Sequence, residues 1–232
     1  MAFYSILYEK GKREKNEDTV AIHKFTTIDG EVIMALVCDG CGGMDMGECA
    51  SGYMTECIED WFYSDLPDKV RRGTGRRGMA RDLKNLIFRA HEEIRRYGAG
   101  LGKQLGTTLT LFISVNSRYL ILQSGDSAAY SISKRSGCLT AKHAKGGRLT
   151  RCIGSGKYNA PSLTLGKIRA GSAFLLVSDG MCHTLEGRDY SGALMPQKIK
   201  DADAASRGLR TLADAAMRRG ETDNISAVYL HF

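Results

Sequence analysis

From Val32 to Val37 the apolar residues run without a break, and the run closes in Cys38-Asp39-Gly40-Cys41-Gly42-Gly43. A strand-length run with no polar alternation reads as a β-strand buried on both faces. The carboxylate at its end is delivered into a turn, and the glycines there let the backbone approach whatever Asp39 holds. The pattern recurs. Phe174 to Val177 leads into Ser178-Asp179-Gly180, and Tyr119 to Gln123 into Ser124-Gly125-Asp126. Thr222-Asp223-Asn224 stands just before a last apolar strand, Ile225 to Phe232.

Between these strands the period changes. Met54, Ile58 and Trp61 recur at helical spacing, predicting a helix from about Gly47 to Tyr63 that Pro67 ends. Lys69 to Gly78 reads as a basic, glycine-containing loop. Leu83, Leu86, Ile87, Ala90 and Ile94 mark one face of a second helix, Met79 to Tyr97. Gly98 to Gly106 reads as a connection. A late helix spans Asp203 to Arg219, stopped by Gly220. Further strands are expected at Phe3 to Tyr8, Thr19 to His23, Thr107 to Val115, Ala128 to Ser133 and Leu163 to Ile168. A hairpin turn is expected at Ile28-Asp29-Gly30. Strands and helices are segregated rather than alternating, so the fold class is α+β, with mostly antiparallel sheets covered by helices. No linker divides the chain, and one domain over residues 1–232 is expected.

Composition narrows the function little. The chain has 232 residues, 43% apolar and 25% charged, with a formal net charge of +7. That is ordinary for a globular protein, and the charge permits acidic or phosphorylated partners without requiring them. No apolar stretch reaches membrane-span length, and the N-terminus lacks a signal peptide's apolar core. Seven cysteines at irregular spacing give no disulfide framework. A cytoplasmic protein with no membrane partner is expected.

The chemistry lies in the acids. Any one Asp beside a Gly is an ordinary turn. Four of them at strand edges, with few histidine partners, make an oxygen-rich ligand set suited to magnesium or manganese.

At this point the blocks resemble a family. Arg13-x-x-Asn16-Glu17-Asp18, Asp39-Gly40-x-Gly42-Gly43, Gly106-Thr107-Thr108, Gly125-Asp126-Ser127, Leu149-Thr150-Arg151-x-Ile153-Gly154, Ser178-Asp179-Gly180 and Asp223-Asn224-Ile225 are similar, in this order, to the blocks of bacterial metal-dependent Ser/Thr protein phosphatases of the PP2C (PPM) type. The resemblance implies an α-β-β-α sandwich of two antiparallel sheets, with a metal cleft at one edge. It implies two Mn2+ or Mg2+ ions, with a third as an option. By this resemblance Asp39 bridges two metals and Gly40 offers its backbone carbonyl. Asp179 and Asp223 complete the first metal. Glu17 and Asp18 serve the second, directly or through water. Asp126 joins Asp179 at a third, and Arg13 binds the substrate phosphate. Arg13, Asp39 and Asp18 are the expected catalytic residues. The expected partners are phosphoproteins, targets of a Ser/Thr kinase in the same cell, and the expected state is a monomer.

The chemistry is coherent on its own terms. Paired cations bring the pKa of a shared water towards neutrality, and a guanidinium fork suits phosphate better than an ammonium does. No Ser or Cys nucleophile is needed, so hydrolysis is direct.

Three features depart from the pattern. Cys41 stands where bacterial members usually carry Met. Cys38 and Cys41 also spell C-x-x-C, a redox or half-zinc signal that has no second half here. The family's flap, a long insert before the Leu149 block, has no room between Lys142 and Arg148. Competing readings are a catalytically weak or non-catalytic phosphate-binding scaffold, and a redox or nucleic-acid module. The first would predict lost metal acids, whereas Asp39, Asp179 and Asp223 are all present. The second would rest on the C-x-x-C or on the basic stretch Lys69 to Arg77, which lacks aromatics for base stacking, so no nucleic-acid partner is expected. The five histidines lack ligand spacing and read as structural or exposed.

Overall fold

The computed structural model describes residues 2–28, 30–41 and 46–232. Asp29 of the expected hairpin turn and Gly42 and Gly43 of the acid-bearing turn lie outside the described residues. Two five-stranded antiparallel sheets face each other. One contains β1 (Phe3–Glu9), β12 (Ile225–His231), β11 (Ala173–Val177), β6 (Ala128–Ile132) and β7 (Gly137–Cys138), in that order. The other contains β10 (Ser162–Lys167), β5 (Arg118–Ser124), β4 (Leu109–Val115), β3 (Gly30–Asp39) and β2 (Asp18–Thr27). Helices α1 (Gly47–Ser64), α2 (Leu66–Arg71) and α3 (Arg76–Gly100) belong to the second sheet's outer side. Helices α4 (Asp179–Cys182), α5 (Gly187–Leu194) and α6 (Ala202–Arg218) belong to the first sheet's. The expected α-β-β-α sandwich is the observed one. Among the described residues no helix is long and apolar enough to cross a membrane.

The unbroken run of β3 is explained by two cores. Val32, Met34, Leu36 and Cys38 pack under α1 and α3. Ile33, Ala35 and Val37 pack between the sheets, against Phe112, Phe174, Leu176 and Val228. Successive strand residues face opposite ways, so a strand at the centre of a four-layer stack has no polar face to offer. Asp39 continues the inward series 33, 35, 37 and therefore stands at the open end of the space between the sheets. Asp18 continues Val20 and Ile22 on the same inner face, and it is the register partner of Asp39.

Several boundaries differ from those expected. Pro67 does not end the helical region. It lies in the first turn of α2, where its missing N–H has no intrahelical partner to lose. The basic stretch is not a loop from Lys69 to Gly78, because α2 and α3 claim most of it. Lys69 pairs with Asp82 and Arg71 with Asp68. Arg76 donates to the Tyr119 and Gly166 carbonyls at 2.9 and 2.6 Å. Helix α3 also runs to Gly100, into the expected connection. The short elements α4, α5 and β7 carried too few residues to show a period.

In place of a flap there is a two-stranded hairpin, β8 (Ala144–Lys145) and β9 (Arg148–Leu149), turning at Gly146-Gly147.

Candidate metal centre

The acids collect where inner-face positions of the two sheets run out. Ligand oxygens of Asp39, Asp126 and Asp179 lie within 4.8 Å of one another. Asp39 comes from the end of β3, Asp126 from the β5–β6 turn and Asp179 from the first residue of α4. A cleft of about 380 Å³ contains these three with Glu17, Gly40 and Asp223, and is bordered by Cys41, Thr108 and Gly147 to Leu149. The larger cavity of about 740 Å³ beside Ser131 and Gly171 is lined by no acid.

The turn blocks around these acids fix this geometry through the backbone. The Thr108 N–H donates to the Asp39 carbonyl at 2.8 Å, and the Asp39 N–H donates to Thr108 Oγ1 at 3.0 Å. Thr107 Oγ1 also donates to the Asp39 carbonyl. The Gly106-Thr107-Thr108 block is thus a brace for Asp39. Gly40 is tightly packed: a Cβ there would fall 2.8 Å from the Glu17 carbonyl oxygen and 2.6 Å from the Gly47 carbonyl carbon. At Gly180 a Cβ would strike the Asn224 carbonyl oxygen, so each of these glycines follows a metal-type acid because backbone passes over it.

Asp18 is 3% exposed and lies behind the cleft. The Ser226 and Ser178 hydroxyls stand near its carboxylate, and its Oδ2 and the Ser226 hydroxyl both have no hydrogen-bond partner. Burial pushes its pKa up to about 7, against the opposing pull of those hydroxyls. Burial, followed by the charges of Asp179, Asp18 and Asp126, also raises Asp39 well above the carboxylate range. Burial and Asp179 raise Asp126. Burial and Glu48 raise Glu17, despite a hydrogen bond from the Gly47 N–H at the start of α1. Clustered carboxylates that raise one another, with the buried Asp18 carrying an unpartnered oxygen, have the chemistry a divalent cation satisfies. The residues present therefore fit divalent metal.

Asp179 is the exception. Burial would raise it, but the hydrogen bond and charge of His183 outweigh burial and lower it. His183 lies 3.3 Å from Asp179 and 3.3 Å from Glu221, and is itself raised to about 9, mainly by the Asp179 hydrogen bond. His183, expected to be structural or exposed, therefore joins the acid cluster, as does Glu221, which no motif marks. The i,i+4 relation of His183 to Asp179 within Asp179-Gly180-Met181-Cys182-His183 is the signal available for His183, and no spacing points to Glu221.

Arg13 does not line the cleft. Its Nη2 donates to Asp223 Oδ2 at 2.7 Å, with the Arg13 side chain 51% exposed. The loop carrying it is held by Asn224, whose Nδ2 donates to the Lys10 and Lys15 carbonyls and whose Oδ1 accepts from the Glu17 N–H. The Asp223-Asn224 block is thus a clamp on the Arg13 loop as well as a source of carboxylate.

Cys38 and Cys41 do not act as a pair. Cys38 is in the core under α1, and burial pushes its thiol up to about 12. Cys41 instead faces Cys152. His23 is held by Glu59 and Tyr63, and His91 accepts from the Gly154 N–H. His143 accepts from the Gly125 N–H, so these histidines are structural as expected.

This combination of two facing sheets, flanking helices and acids gathered at one end defines a class: it is the fold of bacterial serine/threonine phosphatases. Superposition on Stp1 from Staphylococcus aureus gives a TM-score of 0.83 at 21% identity, covering 100% of this chain and 95% of that one. The Mycobacterium tuberculosis phosphatase PstP/Ppp gives 0.79 at 22%, covering 100% and 98%. The S. agalactiae serine/threonine phosphatase gives 0.78 at 21%, covering 100% and 99%. No curated protein matches the chain in sequence. The model of the family described as Protein phosphatase 2C matches residues 10–218, and the chain belongs to that family.

Proposed function

We propose that the chain is a metal-dependent phosphoprotein phosphatase acting on phosphoserine and phosphothreonine. The observation that carries this is the convergence of Asp39, Asp126 and Asp179 at the end of buried strands, in a cleft shared with Glu17 and Asp223. Asp39, Gly40, Asp179 and Asp223 would hold one Mn2+ or Mg2+. Asp39 with Glu17 and Asp18 would hold a second, and Asp126 with Asp179 a third. Such ions, when bound, lower the pKa of a coordinated water and offset charge on phosphoryl oxygens. Substrates would be phosphoproteins made by a Ser/Thr kinase in the same cell. The test is phosphate release from a phosphothreonine peptide by the purified chain with manganese.

Arg13 is the residue for the substrate phosphate. A half-exposed ion pair is worth little, so exchanging the Asp223 carboxylate for a phosphate costs little. Arg13→Ala should raise KM for phosphopeptide about tenfold or more, while the manganese titration midpoint stays put or falls. A strong weakening of metal binding at unchanged KM would contradict this role.

The short β8–β9 hairpin leaves the cleft with one low wall. Neither the 69–77 stretch nor the 187–196 stretch lines it. Little substrate beyond the phosphate is gripped, so remote binding energy is scarce. Aryl phosphates and phosphopeptides should have kcat/KM within about tenfold of each other. A preference for peptides by orders of magnitude would contradict the open cleft.

A further inference from the structure

Cys41 and Cys152 are 111 positions apart in sequence, yet their sulfurs stand 2.6 Å apart. Both are set by backbone bonds to one short stretch. The Cys41 N–H donates to the Gly106 carbonyl at 2.9 Å. Next to Cys152, Ile153 exchanges two 2.9 Å bonds with Thr107. The two side chains are therefore aimed at each other by the framework and not by chance contact of mobile loops. Cys41 borders the metal cleft directly after Asp39-Gly40, and Leu149, three residues before Cys152, borders its other wall. Cys41 is 4% exposed and Cys152 is partly exposed, so a small oxidant can reach the pair.

We propose that Cys41 and Cys152 form a reversible disulfide that clamps the two walls of the cleft. Bridging needs side chains that already face each other, which this pair provides and Cys38 with Cys41 does not. Hydrogen peroxide serves as the oxidant. The Cys152 sulfur attacks a peroxide oxygen, the O–O bond breaks, and a sulfenic acid and water result. The Cys41 sulfur then displaces that hydroxyl as a second water, and the S–S bond forms. Each thiol loses its hydrogen, the pair loses two electrons, and the peroxide is reduced to two waters. A dithiol reductant reverses the step by exchange.

The bond would pull on Cys41 and with it on the adjoining Gly40, which packs against Glu17. A shift of an ångström there misplaces acids that must meet one ion. The effect on turnover rests on the phosphatase reading, whereas formation of the bond does not. The experiment treats the full chain with a small excess of hydrogen peroxide and blocks remaining thiols. It then reads intact mass, peptide map, melting temperature and aryl-phosphate turnover with manganese. Cys152→Ser and Cys138→Ser are run beside the wild type.

Wild type and Cys138→Ser should lose two hydrogens and yield a Cys41–Cys152 cross-linked peptide. Their melting temperature should rise by roughly 5–10 °C, because a long loop is closed. Turnover should fall at least about tenfold and return on reduction, whereas Cys152→Ser should keep its turnover. Free or over-oxidised thiols at both positions, or a cross-link elsewhere, would overturn the assignment of the site. A mapped Cys41–Cys152 bond with turnover unchanged would overturn the clamp. A mapped bond in a chain inactive before treatment would leave the disulfide standing and refute the phosphatase reading instead.

Discussion

Asp39→Asn should abolish turnover, by at least about a thousandfold, while leaving the fold in place. The side chain sits at the end of β3, and its backbone is braced by Thr107 and Thr108 through bonds that the substitution does not touch. What is lost is one negative charge that faces Asp179, Asp18 and Asp126. Metal affinity should collapse, because a neutral amide oxygen replaces the central carboxylate. Without metal the same change removes repulsion, so the metal-free variant should melt at or above the wild-type temperature. Asp179→Asn should also abolish turnover but should not stabilise, since it deprives His183 of its partner. Aryl-phosphate assays paired with melting curves check both statements. Turnover of Asp39→Asn within a few-fold of wild type would contradict the metal centre.

The metal-free protein should lose stability as pH rises from about 4 to 6.5. Asp18 titrates at about 7 when folded, against an ordinary 3.8. Within that window the folded chain keeps a proton that the unfolded chain releases, so stability falls with rising pH. The raised folded pKa thus acts as a penalty that is absent at low pH and grows until the folded carboxyl ionises. For Asp18 alone the change is about 3 kcal/mol. Asp39 and Asp126 act in the same direction. His183 contributes stability that is present below its unfolded value and lost only as pH climbs towards 9, above the window. Asp179, held low, contributes stability lost only towards the acid end. A divalent cation replaces the protons, so millimolar manganese should flatten or invert the slope. Denaturant unfolding at the two ends of the window, with chelator and with manganese, gives the answer. A metal-free protein that gains stability across the window, or a slope indifferent to manganese, would contradict it.

Much of this was legible along the chain because it is local. The Val32–Cys38 run could only be a strand covered on both faces, and the two cores found there are the reason. An acid placed at the end of such a strand already carried the position of the site. The helical stripes of α1, α3 and α6 were equally plain. Illegible were relations between distant segments. The Arg13–Asp223 ion pair joins residues 210 apart, and the Cys41–Cys152 contact joins residues 111 apart. No spacing rule reaches across such distances. C-x-x-C offered Cys41 a near neighbour that β3's alternation in fact turns towards α1. Helices α4 and α5 were missed because four and eight residues give too little period. His183 was passed over for its lack of ligand spacing, although a carboxylate partner one helical turn away was in view.

Hydrolysis of an aryl phosphate by the purified chain, after chelation and desalting and then with manganese added back, tests the central claim most directly. The acid cluster predicts no turnover without added cation, and turnover with manganese at least equal to that with magnesium, since every proposed ligand is an oxygen. Full turnover after exhaustive chelation, or none with either cation, would contradict it.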